Sequence, residues 1–196
     1  MVDAPKSIRK LFDFDDEETI SSWFSSVQLC AIGILFLFSG SWQQAERVSK
    51  PAWLLVIGAG LIFLSLDEAA AVHEQITRNF REVEWMPRFN QRHGMWIPVY
   101  FAIAIMMTFL CRKTILSVWK AYPKQSRIIA VGATILVLGG VGLEILSYWY
   151  LRDAKSSFLF ILEVTLEEFF EMAGASIILY GTILCALQTP HDGTKA

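Results

Sequence analysis

Four glutamates, Glu163, Glu167, Glu168 and Glu171, stand in an otherwise apolar run over residues 158–181. At about 100° per residue, Glu163, Glu167 and Glu171 fall within about 80° of one another, and Gly174 and Gly181 continue that stripe. A carboxylate facing hydrocarbon costs roughly 2.5–3.5 kcal/mol even on the lenient insertion scale, so such a stripe belongs against protein. A second group, Asp67, Glu68, His73 and Glu74, closes another apolar run. Seven residues separate Asp67 from Glu74, which puts both on one helical face with Gly60, Ala71 and Arg78, with His73 to one side and Glu68 to the other. Glu144 lies on a third stripe with Ala133 and Gly140, and His93 follows in a charged stretch. Carboxylates with one or two imidazoles suit Zn, Mn or Fe; Mg or Ca become candidates if the histidines stay out.

The apolar elements that carry these groups run over about 22–39, 52–74, 95–111, 128–149 and 158–187, each long enough to span a bilayer. The chain has 196 residues, of which 54% are hydrophobic, and its mean hydropathy is +0.43. All seven tryptophans, from Trp23 to Trp149, lie at or just beyond the ends of these runs, where an indole with one polar edge prefers the membrane boundary. The pattern predicts an all-α, polytopic membrane protein: a five-helix transmembrane bundle over 21–188, between a polar or interfacial tail at 1–20 and a C-terminal tail at 189–196. Membrane lipids are the expected surroundings. A net charge of −2 and the lack of a basic patch with interleaved aromatics argue against a nucleic-acid partner. The three cysteines, Cys30, Cys111 and Cys185, read as small buried hydrophobes. The acidic segment DFDDEET before the first run does not resemble a cleaved signal.

Five alternating spans fix depth. With the first span starting at one membrane face, here called the proximal face, the second and fourth end there and the third and fifth begin there. Asp67, Glu68, His73, Glu74, Glu144, Glu163, Glu167, Glu168 and Glu171 then share the proximal half of the bilayer, with His93 at its rim. Packing of the second, fourth and fifth spans on the stripes of Gly60, Gly140 and Gly174 would bring the acids into one pocket. The eight carboxylates meet no Lys or Arg within the spans; Arg78 and Arg152 reach in from the rim. Either several acids hold protons or bound cations compensate them.

The segments SWFSS (22–26), SLDEAAAVHE (65–74) and LEEFFEMAG (166–174) resemble a group of bacterial multi-pass inner-membrane proteins of unassigned activity. That resemblance covers most of the chain. It supports the fold and the choice of residues, implies a bacterial plasma membrane, and supplies no mechanism.

The reading favoured by the residues is a carboxylate–histidine cluster that binds divalent metal ions in a membrane-embedded enzyme acting on a lipid-soluble substrate. Two alternatives stand beside it: a proton- or cation-coupled transporter or channel component, and an accessory or assembly subunit of a larger complex. A homo-oligomer is left open. No catalytic residue is assigned. The chain has no HExxH, phosphate loop or nucleophile elbow, and no ExxH of the di-metal bundle type. Ser65 and Asp67 lie about 160° apart on one helix, which argues against a hydrolytic triad with His73. Nine basic residues fall to the proximal side and eight to the other, so the positive-inside rule sets no orientation.

Overall fold

The computed structural model describes residues 19–41, 48, 50–80, 94–151 and 157–187. These form an all-α protein with five helices long and apolar enough to cross a membrane. The first is α1 (Ile20–Ser41). The second, α2 (Ala52–Ala70), is followed by a short amphipathic α3 (Val72–Phe80). The third is α4 (Trp96–Ala121). The fourth combines α5 (Pro123–Val137), a π-helical turn (Leu138–Leu143) and α6 (Glu144–Tyr150). The fifth is α7 (Phe158–Leu187).

Local chemistry sets the ends. Thr19 Oγ1 accepts the Ser22 N–H at 3.2 Å and Ser157 Oγ accepts the Phe160 N–H at 3.2 Å, hydroxyl caps for donors that have no partner in the first turn. Pro51 and Pro123 open α2 and α5, where a missing N–H loses nothing. The described tryptophans Trp23, Trp53, Trp96, Trp119 and Trp149 all sit within the first or last four residues of a span.

Three close pairings build the bundle: α1 on α2, α5 on α7, and α1 on α7. Two of them rest on glycine. A methyl group added at Gly33 would meet the Gly58 carbonyl oxygen at 2.8 Å, and one at Gly58 would meet that of Gly33 at 2.8 Å. Gly132 and Gly174 repeat this reciprocal approach between α5 and α7, again at 2.8 Å. Such backbone proximity is how helices associate where lipid removes the hydrophobic drive. The first span is central, with 44% of an 18-residue apolar stretch buried against 11% of the one in α4. Helix α4 turns Phe101, Ile105, Phe109 and Leu116 outward, the side chains expected against lipid.

Three details depart from the sequence reading. Gly60, expected on a packing stripe, has open space around it: a methyl group added there would meet nothing within 4 Å. Helix α2 packs on α1 through Gly58, not on the fourth and fifth spans. The third span does not stop at 111 but continues to Ala121. Its charges are accommodated at the helix surface: Arg112 lies over the Phe109 ring at 4.0 Å and donates to the Phe109 carbonyl at 2.6 Å. The second span breaks at Ala71, which adopts φ 48° and ψ 44°, a left-handed conformation. The helical face drawn through Asp67, Ala71, Glu74 and Arg78 is therefore interrupted.

Candidate functional site

The break at Ala71 shapes the first half of the site. It redirects the chain so that the backbone N–H of His73 donates to Asp67 Oδ1 at 2.8 Å, while His73 Nδ1 lies 3.3 Å from Asp67 Oδ2. Asp67 is buried and His73 half-buried. One carboxylate thus caps the first turn of α3 and holds the imidazole. Glu74, beyond the break, is carried outward and pairs with Arg78 at 3.0 Å on the partly exposed side of α3. It does not join Asp67, because the left-handed residue ends the shared face. Glu68 is half-buried.

Aromatic side chains from α4 stand against this pair. The His73 and Trp96 rings meet edge-on at 5.1 Å, and Trp96 and Tyr100 do so at 5.3 Å. The Tyr100 hydroxyl lies close to Asp67. Trp96 then links across the bundle: its Nε1–H donates to Glu144 Oε1 at 3.4 Å. The same oxygen accepts a short hydrogen bond from the Tyr148 hydroxyl, one turn along α6.

Glu144 comes directly after the π-helical turn. A π turn takes an extra residue into the helix and re-aims the side chains beyond it, and such turns concentrate at functional positions. Here Gly139 and Gly140 lie within it. Gly139 packs on Phe170 Cβ and the α7 backbone at Glu167 and Glu171, and Gly140 faces the Glu171 carboxylate. The acid stripe of α7 therefore points at the π turn. Glu167 stands within electrostatic reach of Glu144, Glu171, Glu163 and Glu168. Glu163 is buried; Glu167, Glu168 and Glu171 are half-buried.

Two acid centres result, Asp67–His73 and the five-glutamate group around Glu167, bridged by Trp96 through Glu144. Among the described residues no three His, Cys, Asp or Glu side chains are gathered in a set that could hold a metal ion. His93 lies outside the described residues. Of the seven described Lys and Arg, Arg78 is engaged with Glu74. The other six, Lys50, Arg112, Lys113, Lys120, Lys124 and Arg127, belong to the opposite half of the bundle.

Sequence reasoning missed two sets of residues. One is Trp96, Tyr100 and Tyr148, aromatics with polar tips at the depth of the acids; the W-x3-Y and E-x3-Y spacings were the available signal. The other is the hydroxyl-rich start of α1. Ser26 and Ser65 exchange bonds, each hydroxyl lying 2.8 Å from the other's carbonyl oxygen, with 3.1 Å between the hydroxyls. Ser65 therefore faces α1, away from Asp67. Gln28 Nε2 donates to Ser176 Oγ on α7 at 2.6 Å. The run TISSWFSSVQ showed hydroxyls on a span's interior side.

No curated protein and no solved structure matches this chain. A family model does, over residues 1–187. On that match the chain belongs to the family described as "Domain of unknown function (DUF8692)".

Proposed function

We propose that this integral membrane protein takes up positive charge in its proximal acid network, with a divalent metal ion as the occupant, and uses it on a lipid-soluble substrate. The observation that supports this reading is Glu167 among four other glutamates, with the described basic residues either engaged elsewhere or in the opposite half of the bundle. Like charges this close in a low-dielectric medium repel strongly, and a cation relieves all of them at once. Glu144, Glu163, Glu167 and Glu171 would supply oxygen ligands, and Asp67 with His73 the neighbouring base. A bound metal would contribute a low-pKa water or a redox centre. The resemblance of its three motifs supports a bacterial inner membrane as the setting of this proposal.

A second reading has its own support. The described side chains are not already gathered as a metal-ligand set, and two groups of acids, Asp67 with His73 and Glu144 with Glu167, lie on either side of Trp96. In that reading the acids share protons. Elemental analysis of protein purified without chelator separates the two. Stoichiometric Zn, Mn or Fe that is lost in the Glu167→Ala, Glu171→Ala double variant supports the metal. Absence of bound metal, with proton uptake by reconstituted vesicles that the same double variant abolishes, replaces the first reading with the second.

A further inference from the structure

On α1, Ser25, Gln28, Ile32, Phe36 and Ser39 fall within about 80° of one another. Phe36 and Ser39 line a partly open pocket of about 30 Å³ at the distal end with Leu54, Tyr122, Thr182 and Cys185, and Gln28 reaches Ser176 on α7, so this stripe faces α7. Its polar members are Ser39 at the distal end and, nearer the acids, Ser25 and Gln28. Ser25 and Gln28 are 2% and 6% exposed. Within the described residues, Ser25 Oγ and Gln28 Oε1 are buried atoms with no hydrogen-bond partner. Turning the Gln28 amide over would let Oε1 accept from Ser176 and would leave Nε2 in its place, so one end of the amide stays unmatched either way. Two such atoms on neighbouring turns are costly in an apolar medium.

Their position gives these unmet bonds a direction. Ser176 lies five residues beyond Glu171, about 7.5 Å further along α7 from the proximal face. Beyond it the stripes of α1 and α7 become apolar with Ile32 and Ile178, both buried. Polar lining thus continues one step beyond the acids and gives way to an apolar stretch, Ile32, Phe36 and Ile178, before Ser39 and Thr182. A molecule lying there would have a hydrogen-bonding group at Ser25 and Gln28 and a hydrocarbon body past them.

We propose that Ser25 and Gln28 bind the hydroxyl group of a lipid-soluble alcohol. A hydroxyl both donates and accepts, so it complements Ser25 and either end of the amide, whereas an ether or ketone only accepts. This names the substrate class for the acid site and rests on the metal-site reading of the function, but on different side chains.

The test uses the full chain in lipid nanodiscs and a long-chain primary alcohol bearing a mid-chain diazirine, with its methyl ether as control. The alcohol is expected to label α1 and α7 near Gln28 and Ser176 saturably. The ether should label about five- to tenfold less, the equivalent of one hydrogen bond. Gln28→Leu and the milder Ser25→Ala should each bring alcohol labelling to the ether level. Ser176→Ala, which removes only the neighbour of Gln28, should keep it. Equal labelling by alcohol and ether, no labelling, or labelling that survives both Gln28→Leu and Ser25→Ala overturns the inference; a water filling the same place would give the no-labelling result. Metal content measured on the same preparations keeps the two proposals apart. Gln28→Leu should leave it unchanged, and the Glu167→Ala, Glu171→Ala variant should lose metal while still being labelled.

Discussion

Replacing Gly174 by alanine and, separately, Gly60 by alanine tests how this bundle is held together. A methyl group at Gly174 would lie 2.6 Å from the Leu136 backbone nitrogen and 2.8 Å from the Gly132 carbonyl oxygen. Ordinary contact begins at 3.4 Å, so α5 and α7 must part by 0.6 to 0.8 Å. The atoms met are backbone, which cannot swing aside as a side chain does. Overpacking of this kind costs about 1–3 kcal/mol. Alanine also favours the helix over glycine by about 0.5–1 kcal/mol, and that gain is common to both substitutions. At Gly60 the methyl meets nothing within 4 Å, so only the gain remains. The difference between the two variants cancels propensity and isolates the packing cost, about 1–3 kcal/mol in favour of Gly60→Ala. Reversible unfolding of the purified protein in mixed micelles, followed by far-ultraviolet circular dichroism, measures it. Two variants within about 0.5 kcal/mol of each other, inside the usual scatter of surface substitutions, would refute the claim that Gly132 and Gly174 set the distance between these helices.

Two other perturbations probe the same geometry. Ala71→Gly should stabilise the protein by about 1 kcal/mol in that unfolding assay, because an L-residue is disfavoured in the left-handed region that glycine enters freely; a loss of stability would mean the turn at 71 is not formed. Ser65→Ala removes the exchange with Ser26 and should cost about 0.5–1.5 kcal/mol. In the Ser26→Ala background the same substitution should cost markedly less, and full additivity would show that the two hydroxyls do not act together.

What the sequence could reveal and what it could not divides along physical lines. Span number and most helix starts were legible, because bilayer thickness and apolar run length leave little freedom; the end of the third span, ten residues past its apolar run, was not. The inward aim of the α7 stripe was legible too, since Glu167, Glu171 and Gly174 repeat at helical spacing and Gly139, Gly140 and Gly132 receive them. Pairing between helices was not. Gly58 and Gly60 are chemically the same residue two positions apart, yet only Gly58 meets a neighbour. Periodicity says which residues share a face and is silent on which helix that face will find. The break at Ala71 was hidden for a related reason: alanine is a strong helix former, and the left-handed turn carries no glycine or asparagine to announce it. It separates Glu74 from Asp67 and brings His73 to Asp67 instead. The bridge through Trp96 needed two spans placed side by side, which spacing within one chain segment does not encode.

The central place of α1 has a consequence for how the chain is made. Its neighbours α2 and α7 are the next spanning element and the last one, so its packing on α7 cannot form until synthesis is nearly complete. The contacts divide the molecule into two hairpins, α1 with α2 and α5 with α7, which are expected to insert separately and dock late, with α4 as the tether. Until docking, Gln28 lacks its partner Ser176 on α7, so the nascent first hairpin is the stage at which a chaperone or quality-control protease would recognise an unfinished chain. Co-expression of the two halves, cut in the segment between α3 and α4, should reconstitute the bundle if the late step is association of ready-made parts.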